Sequence, residues 1–340
     1  MKITLNHIAE RAGVTKATAS KALRNSPELN KDTVARVSRI ALEMGYKPSP
    51  YKRRWDSKEG LGPAILKTVS LVFYSQTPAF IHSNPFFSTV ASALHAAFKE
   101  RGGLVLDSYP GTPDEFRRIL AASNTDAAIV LGNIQKIEAE TAYRMVEIAH
   151  EKPFLLLANY IPSLPGKFAS VRADNVSAGY LMTKHLLKLG AKSVHFIESV
   201  PGMAVALDRQ FGYRRAMAEA GLEPSVLRFP VQDSASPEQT RELDAVLRGA
   251  EAVGLLGDGD HIALRVGAYG QEKGLLDQER ILIGGIDGLP ALGPKDPRIA
   301  TYKINIEELV NRALDMLSQM LQSQNCNAEQ WLISGEIIRE

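Results

Sequence analysis

The chain has 340 residues, 45% hydrophobic and 23% charged, with a net charge of +2. That composition describes a globular protein of two or three domains and excludes a disordered or fibrous chain. The one cysteine, Cys326, cannot form an internal disulfide, and no apolar run approaches the roughly 20 residues of a membrane span. No export signal follows Lys2, so the cytoplasm is the expected compartment and no membrane partner is expected.

The charge is unevenly spread. Residues 1–59 hold 13 Lys/Arg against 6 Asp/Glu, whereas the remainder holds 27 against 32. A basic head on a mildly acidic body points to a polyanionic partner for the head.

Leu5, Ile8, Ala9 and Ala12 recur at helical spacing and predict a helix over 5–12, stopped by Gly13. Thr15 is a suitable N-cap for a second helix over 16–24, whose inward positions are Ala19, Ala22 and Leu23. Small residues facing one another across a short turn let two helices cross steeply, which is a helix-turn-helix. A third helix follows Asn30, with Val34, Val37, Ile40, Ala41 and Met44 as its buried stripe. The start of the second helix then enters the major groove of double-stranded DNA, so Lys16, Ala17 and Lys21 face the bases. Thr18, Ser20 and Asn25 are placed for phosphate or base contacts, and Thr4 and Thr15 complete the expected footprint.

The segments TLNHIAERAGVTKATASKALRN and VARVSRIALEMGYKPS resemble the DNA-binding head of the LacI/GalR family of bacterial transcription regulators. The resemblance implies a homodimer on a palindromic operator and a hinge helix that folds on DNA. In the hinge, Lys52 falls where relatives carry alanine and Trp55 where they carry the leucine that wedges into the minor groove. Tyr46, Lys52 and Trp55 therefore join the expected DNA contacts.

From Thr68 onward, apolar runs VSLVFY, LVLD, AAIVL and FLLL alternate with helical stretches near 86–101, 113–122 and 135–150. The pattern restarts with a helix over 175–189 capped by Asp174 and closed by Gly190, and continues through SVHFI, a helix over 207–220, AVGLL, a helix near 260–273 and ILIGGI. Such alternation predicts parallel sheets covered by helices, in two doubly wound lobes. The expected fold is α/β: a small all-α helix-turn-helix head (1–48), a hinge helix and linker (49–67), and a two-lobed body (68–340). The first lobe is expected to take 68–169 and 302–327, and the second 170–301 and 328–340.

Two such lobes bind a small ligand where the carboxyl ends of their strands face a cleft. The body resembles the periplasmic-binding-protein-like effector domain of the same family, through NPFF (84–87), DRQFGYRRAMAEAGL and IGGIDG. The resemblance implies a sugar or sugar derivative as effector. Its expected contacts are stacking from Phe86 or Phe87, a forked guanidinium from Arg209, and polar groups from Asn159, Asp260 and Asp287.

Two rival readings are a solute-binding protein and a sugar-acting enzyme on the same body. The first needs an export signal and has no use for a basic helix-turn-helix. Against the second, GLLGDGD is no nucleotide-binding loop. Asp258 and Asp260 in a glycine turn read as a helix cap rather than metal ligands, and the seven histidines are scattered. No catalytic residue, metal or cofactor is expected. The sequence thus reads as a repressor-type transcription regulator controlled by a small effector.

Overall fold

The computed structural model describes residues 5–23, 30, 33, 36–37, 40, 44, 66–121, 124–132, 152–162, 168–230, 235–277, 279–288, 299–323 and 329–338. The chain divides into two units, Met1–Pro63 and Ala64–Glu340.

In the first unit, α1 (Leu5–Ala12) and α2 (Lys16–Leu23) are joined by Gly13, whose φ of +64° suits a residue without Cβ. Thr15 caps α2, its Oγ1 accepting the Thr18 N–H at 3.1 Å. Ile8, Ala9, Ala12, Ala19, Ala22 and Val37 form the buried centre, as the apolar spacing requires. Thr33, Arg36, Val37 and Ile40 are helical, within the stretch expected as a third helix.

The second unit contains two six-stranded sheets. The first is assembled from β1 (Thr68–Val72), β2 (Leu104–Ser108), β3 (Ala127–Val130), β4 (Phe154–Leu157), β5 (Ala169–Ala173) and β11 (Gln330–Ile333). Its order is β11-β5-β4-β3-β1-β2, parallel throughout. The second takes β6 (Ser193–Glu198), β7 (Ser225–Arg228), β8 (Val253–Gly257), β9 (Ile281–Asp287), β10 (Ile299–Ile304) and β12 (Gly335–Ile338) in the order β12-β10-β9-β8-β6-β7. Only β12 runs antiparallel to its neighbour. Strands buried on both faces explain the unbroken apolar runs, since β3, β4 and β8 are buried at every position.

The described helices of this unit are α3 (Pro78–Ser83), α4 (Pro85–Glu100), α5 (Pro113–Ala121), α6 (Asn175–Lys188), α7 (Ala204–Glu219), α8 (Pro237–Arg248), α9 (Asp260–Glu272) and α10 (Ile306–Ser323). Helices α6 and α7 touch at backbone level, because a Cβ on Gly179 would collide with the Arg209 carbonyl and one on Gly212 with the Val176 carbonyl. That contact carries Arg209 to a fixed height above the second sheet.

Three expectations about the lobes are corrected by strand pairing. Ser170–Ala173, expected in the second lobe, completes β5 of the first sheet between β4 and β11, because Val171 and Ala173 bury themselves there. Residues 328–340 do not all belong with the second lobe: Gln330–Ile333 adds to the open edge of β5, where Ile333 is buried, and only Gly335–Ile338 joins the second sheet. Tyr302–Ile304, expected in the first lobe, completes β10 of the second sheet beside β9, because Tyr302 and Ile304 bury themselves there. The chain thus changes lobes three times, after β5, after β10 and after β11. The hinge over 49–65 and the helix expected near 135–150 lie outside the described residues, as do Thr4, Asn25, Tyr46, Lys52 and Trp55. Of Ala17 and Ser20, only the helical backbone is described.

Candidate functional site

Both sheets end their strands at one cleft of about 340 Å³. Asn84, capping α4 through Oδ1 and the Phe87 N–H (3.1 Å), sets Phe86 and Phe87 on the cleft wall, and Phe80 of α3 joins them. The rings meet at 5.8 Å for Phe86–Phe87 and 6.1 Å for Phe80–Phe87, giving an aromatic surface suited to the apolar face of a ring. Beyond β4, Ala158 has a φ of +56°, costly for a side-chain-bearing residue, and it turns Asn159 into the cleft. The Asn159 amide is committed to the Gly132 carbonyl and to the Tyr160 N–H.

The opposite wall is organised by Arg209 of α7, which is 6% exposed. Its Nε donates to Asn175 Oδ1 at 2.9 Å, its Nη1 to the Asp258 carbonyl, and its Nη2 to Asp287 Oδ1 at 2.9 Å. A planar fork reaching three acceptors is a task that lysine cannot perform. Asp287 closes β9 at a φ of +148°, a second strained position on the cleft wall. Next to it, Asp258 Oδ2 accepts the N–H and the hydroxyl of Ser199 at 2.7 and 2.8 Å. Burial pushes the Asp258 carboxyl up from the ordinary carboxylate range, against the pull of His261, Ser199 and Arg209.

Phe86, Phe87, Asn159, Arg209 and Asp287 are therefore brought to one cleft. Asp260 is not among its lining residues. It is fully buried and accepts the Thr301 hydroxyl at 2.6 Å, while that hydroxyl accepts the Gly288 N–H at 3.2 Å. Asp260 steadies the turn behind Asp287, and the carboxylate that lines the cleft is Asp258, two residues earlier. The glycine turn explains the offset: Gly259 is the N-cap of α9 without a side-chain cap bond, so the two carboxylates diverge instead of capping. Asn175, Ser199 and His261 also line the cleft and were not singled out from the sequence. Asn175 was the legible one, since it follows the Asp174 cap at the crossing between lobes.

In the head, Lys16 and Lys21 are exposed on α2. Thr15 and Thr18 share a hydroxyl contact of 2.8 Å at its start.

A helix-turn-helix unit and a two-lobed α/β body with a cleft at its strand ends are the two parts of the described structure. Residues 4–49 match the family model "Bacterial regulatory proteins, lacI family", and residues 183–340 match "Periplasmic binding protein-like domain". Among curated relatives, the transcriptional regulator MalR of Streptococcus pneumoniae is 28% identical over 227 residues, 64% of this chain and 63% of MalR. The aligned stretch thus spans less than two thirds of that relative. The repressor CytR of Escherichia coli is 25% identical over 98% of this chain and 94% of its own. The fold is shared with the CelR–cellobiose complex (TM-score 0.66, 19% identity, 100% of this chain and 99% of that one). It is shared too with the lac repressor dimer bound to operator and the anti-inducer ONPF (TM-score 0.64, 18% identity, 100% and 98%). The head thus matches the lacI family and much of the body the periplasmic-binding-protein-like domain, and the curated relatives named are transcription regulators.

Proposed function

We propose that the chain is a sequence-specific DNA-binding transcription regulator of repressor type, acting as a homodimer on a palindromic operator under control of a small effector. The observation that carries this reading is the pairing of a lacI-type head with a cleft where Arg209, Asp287 and Asp258 face Phe86 and Phe87. A regulator needs both a reading head and a ligand site whose occupancy biases two states of the body. The effector is a sugar or sugar derivative: an aromatic wall suits the apolar face of a pyranose, and buried carboxylates take its hydroxyl donors. Complexes with cellobiose and with ribose among structures of the same fold support that choice.

Lys16, Ala17 and Lys21 read bases, with Thr15, Thr18, Ser20 and Asn25 beside them, and Thr4, Tyr46, Lys52 and Trp55 extend the contact along the operator. We assign no catalysis and no cofactor, and place the chain in the cytoplasm with its DNA. No described helix is long and apolar enough to cross a membrane. The test is a mobility-shift titration of the full chain on the intergenic DNA flanking its gene, with and without sugars found by thermal shift. Specific retention that a cleft-binding sugar changes is the expected result. Retention equal to that on random DNA, at every salt concentration, would overturn the assignment.

A further inference from the structure

One oxygen in the cleft wall has no hydrogen-bond partner. Asp258 is 5% exposed, and while Oδ2 takes both Ser199 donors, Oδ1 takes none. His261 Nε2 lies 3.9 Å from that oxygen, beyond hydrogen-bond reach, on a side chain 38% exposed. Arg209 does not complete the carboxylate, because the guanidinium spends itself on Asn175, the Asp258 carbonyl and Asp287. Of the two buried carboxyl groups, Asp287 therefore holds the guanidinium and Asp258 Oδ1 is left without a donor.

A carboxylate oxygen left bare in such surroundings is costly, so the missing donor is worth more here than at a wet surface. Among the described residues the facing wall supplies no cation: it holds Phe80, Phe86, Phe87, Ala158 and an Asn159 whose amide is committed at both ends. A metal ion is a poor fit, because no group of three or more His, Cys, Asp or Glu gathers among the described residues. What remains is a donor carried in by the effector. A hydroxyl would fill the hydrogen bond alone, whereas an ammonium fills it and also favours the ionised form of a carboxyl that burial pushes toward neutrality.

We propose that the cleft selects an effector bearing a primary amino group, seated against Asp258 Oδ1 with its apolar face on the Phe86–Phe87 wall. The proposal rests on the effector-cleft reading and narrows it to amino sugars and similar amines. Asp258 becomes a specificity residue, and Ser199 positions it by fixing Oδ2.

Calorimetry of the full chain against matched pairs decides this: glucosamine with glucose, galactosamine with galactose, mannosamine with mannose, beside a panel of neutral mono- and disaccharides. In at least one pair the amine binds roughly tenfold or more tighter than its neutral partner. Asp258→Asn, verified as folded by circular dichroism, brings that ratio close to one. If the variant does not fold, the wild-type ratios decide alone. Neutral sugars binding with Arg209-dependent affinity and no advantage for any amine would overturn the amine inference and leave the effector cleft standing. No heat from any sugar, neutral or amino, would overturn both.

Discussion

Tyr160, just past β4 in the first lobe, donates its phenol hydroxyl to Asp208 Oδ1 of α7 in the second lobe at 3.0 Å. Arg172 of β5 reaches Asp208 Oδ2 at 3.1 Å and stacks over the Tyr160 ring at 4.2 Å. Burial and the neighbouring Asp208 carboxylate push the Tyr160 hydroxyl up to about 12, so it stays a donor across physiological pH. Two first-lobe side chains thus clamp one second-lobe carboxylate beside the cleft. Asp208→Ala is expected to weaken closure by about 1–2 kcal/mol, enlarge the scattering radius and lower effector affinity several-fold. An unchanged radius and unchanged affinity would show that the clamp does not bias the lobes.

The Gly179–Gly212 contact yields a sharper expectation. Gly212→Ala places a methyl against the Val176 carbonyl, and backbone cannot retreat as a side chain can. The helices must separate, at a cost of roughly 1–3 kcal/mol or more. Because Arg209 rides on α7 one turn before Gly212, effector affinity should fall along with the denaturation midpoint. A variant as stable as the parent would mean that α6 and α7 are not held at this distance.

Arg209 and Asp287 are each 7% exposed at the side chain, so they form a buried pair on the cleft wall. Arg209→Ala strands the Asp287 carboxylate and is expected to cost roughly 3–5 kcal/mol of stability in addition to effector binding. Arg209→Lys keeps the charge without the fork. It should recover part of the stability and little of the affinity, as measured by urea denaturation and calorimetry on the same preparation. Full affinity in the lysine variant would remove the fork from the recognition scheme.

Local signals account for much of what the sequence made legible. Asp174 caps α6 through the Ser177 N–H at 3.0 Å, and Gly190 follows at a φ of +110°. The apolar runs mark strands buried on both faces. The edges were not legible: β7 is at most half buried and β12 likewise, so neither carries an apolar run. Helix α8 has a readable start in the Ser236–Gln239 capping box, but its polar body carries few apolar residues to extend that signal. The cleft was harder, because Asp258 and Asp260 differ by a turn geometry that no spacing rule reports. Asn175 acquires its partner only when Gly179 and Gly212 let α7 approach.

His195, on β6, gives a pH expectation. Burial holds its imidazole below the ordinary 6.5, with Nδ1 2.9 Å from the Ser225 hydroxyl. The unfolded chain takes up the proton first, so it binds more protons than the native chain between the native value and 6.5. Stability is therefore full above 6.5 and lost as the pH falls through it, by at most about 1.4 kcal/mol per pH unit for this group. His195→Gln should flatten that part of the curve in guanidinium titrations from pH 7.5 to 5.5. An identical slope in the variant would assign the effect to another group.

The last expectation concerns α2. Its inward face is spent on packing Ala19 and Ala22 against Ile8 and Ala9, which leaves Lys16 and Lys21 exposed on a helix too small to bury them. A lysine that meets guanine acceptors discriminates between sequences, whereas one that meets phosphate strengthens binding to all DNA alike. Lys21→Ala should weaken operator binding by roughly 1–3 kcal/mol and relax the preference at one base pair of each half-site. Thr18→Ala, beside a hydroxyl already shared with Thr15, should cost less. Ligand affinity of the body should be unaffected in both variants. The distinguishing measurement is a salt titration on operator and on random DNA in parallel. If Lys21 reads a base, the loss falls on the operator alone; an equal loss on both, with the salt slope reduced by about one, would make Lys21 a phosphate contact.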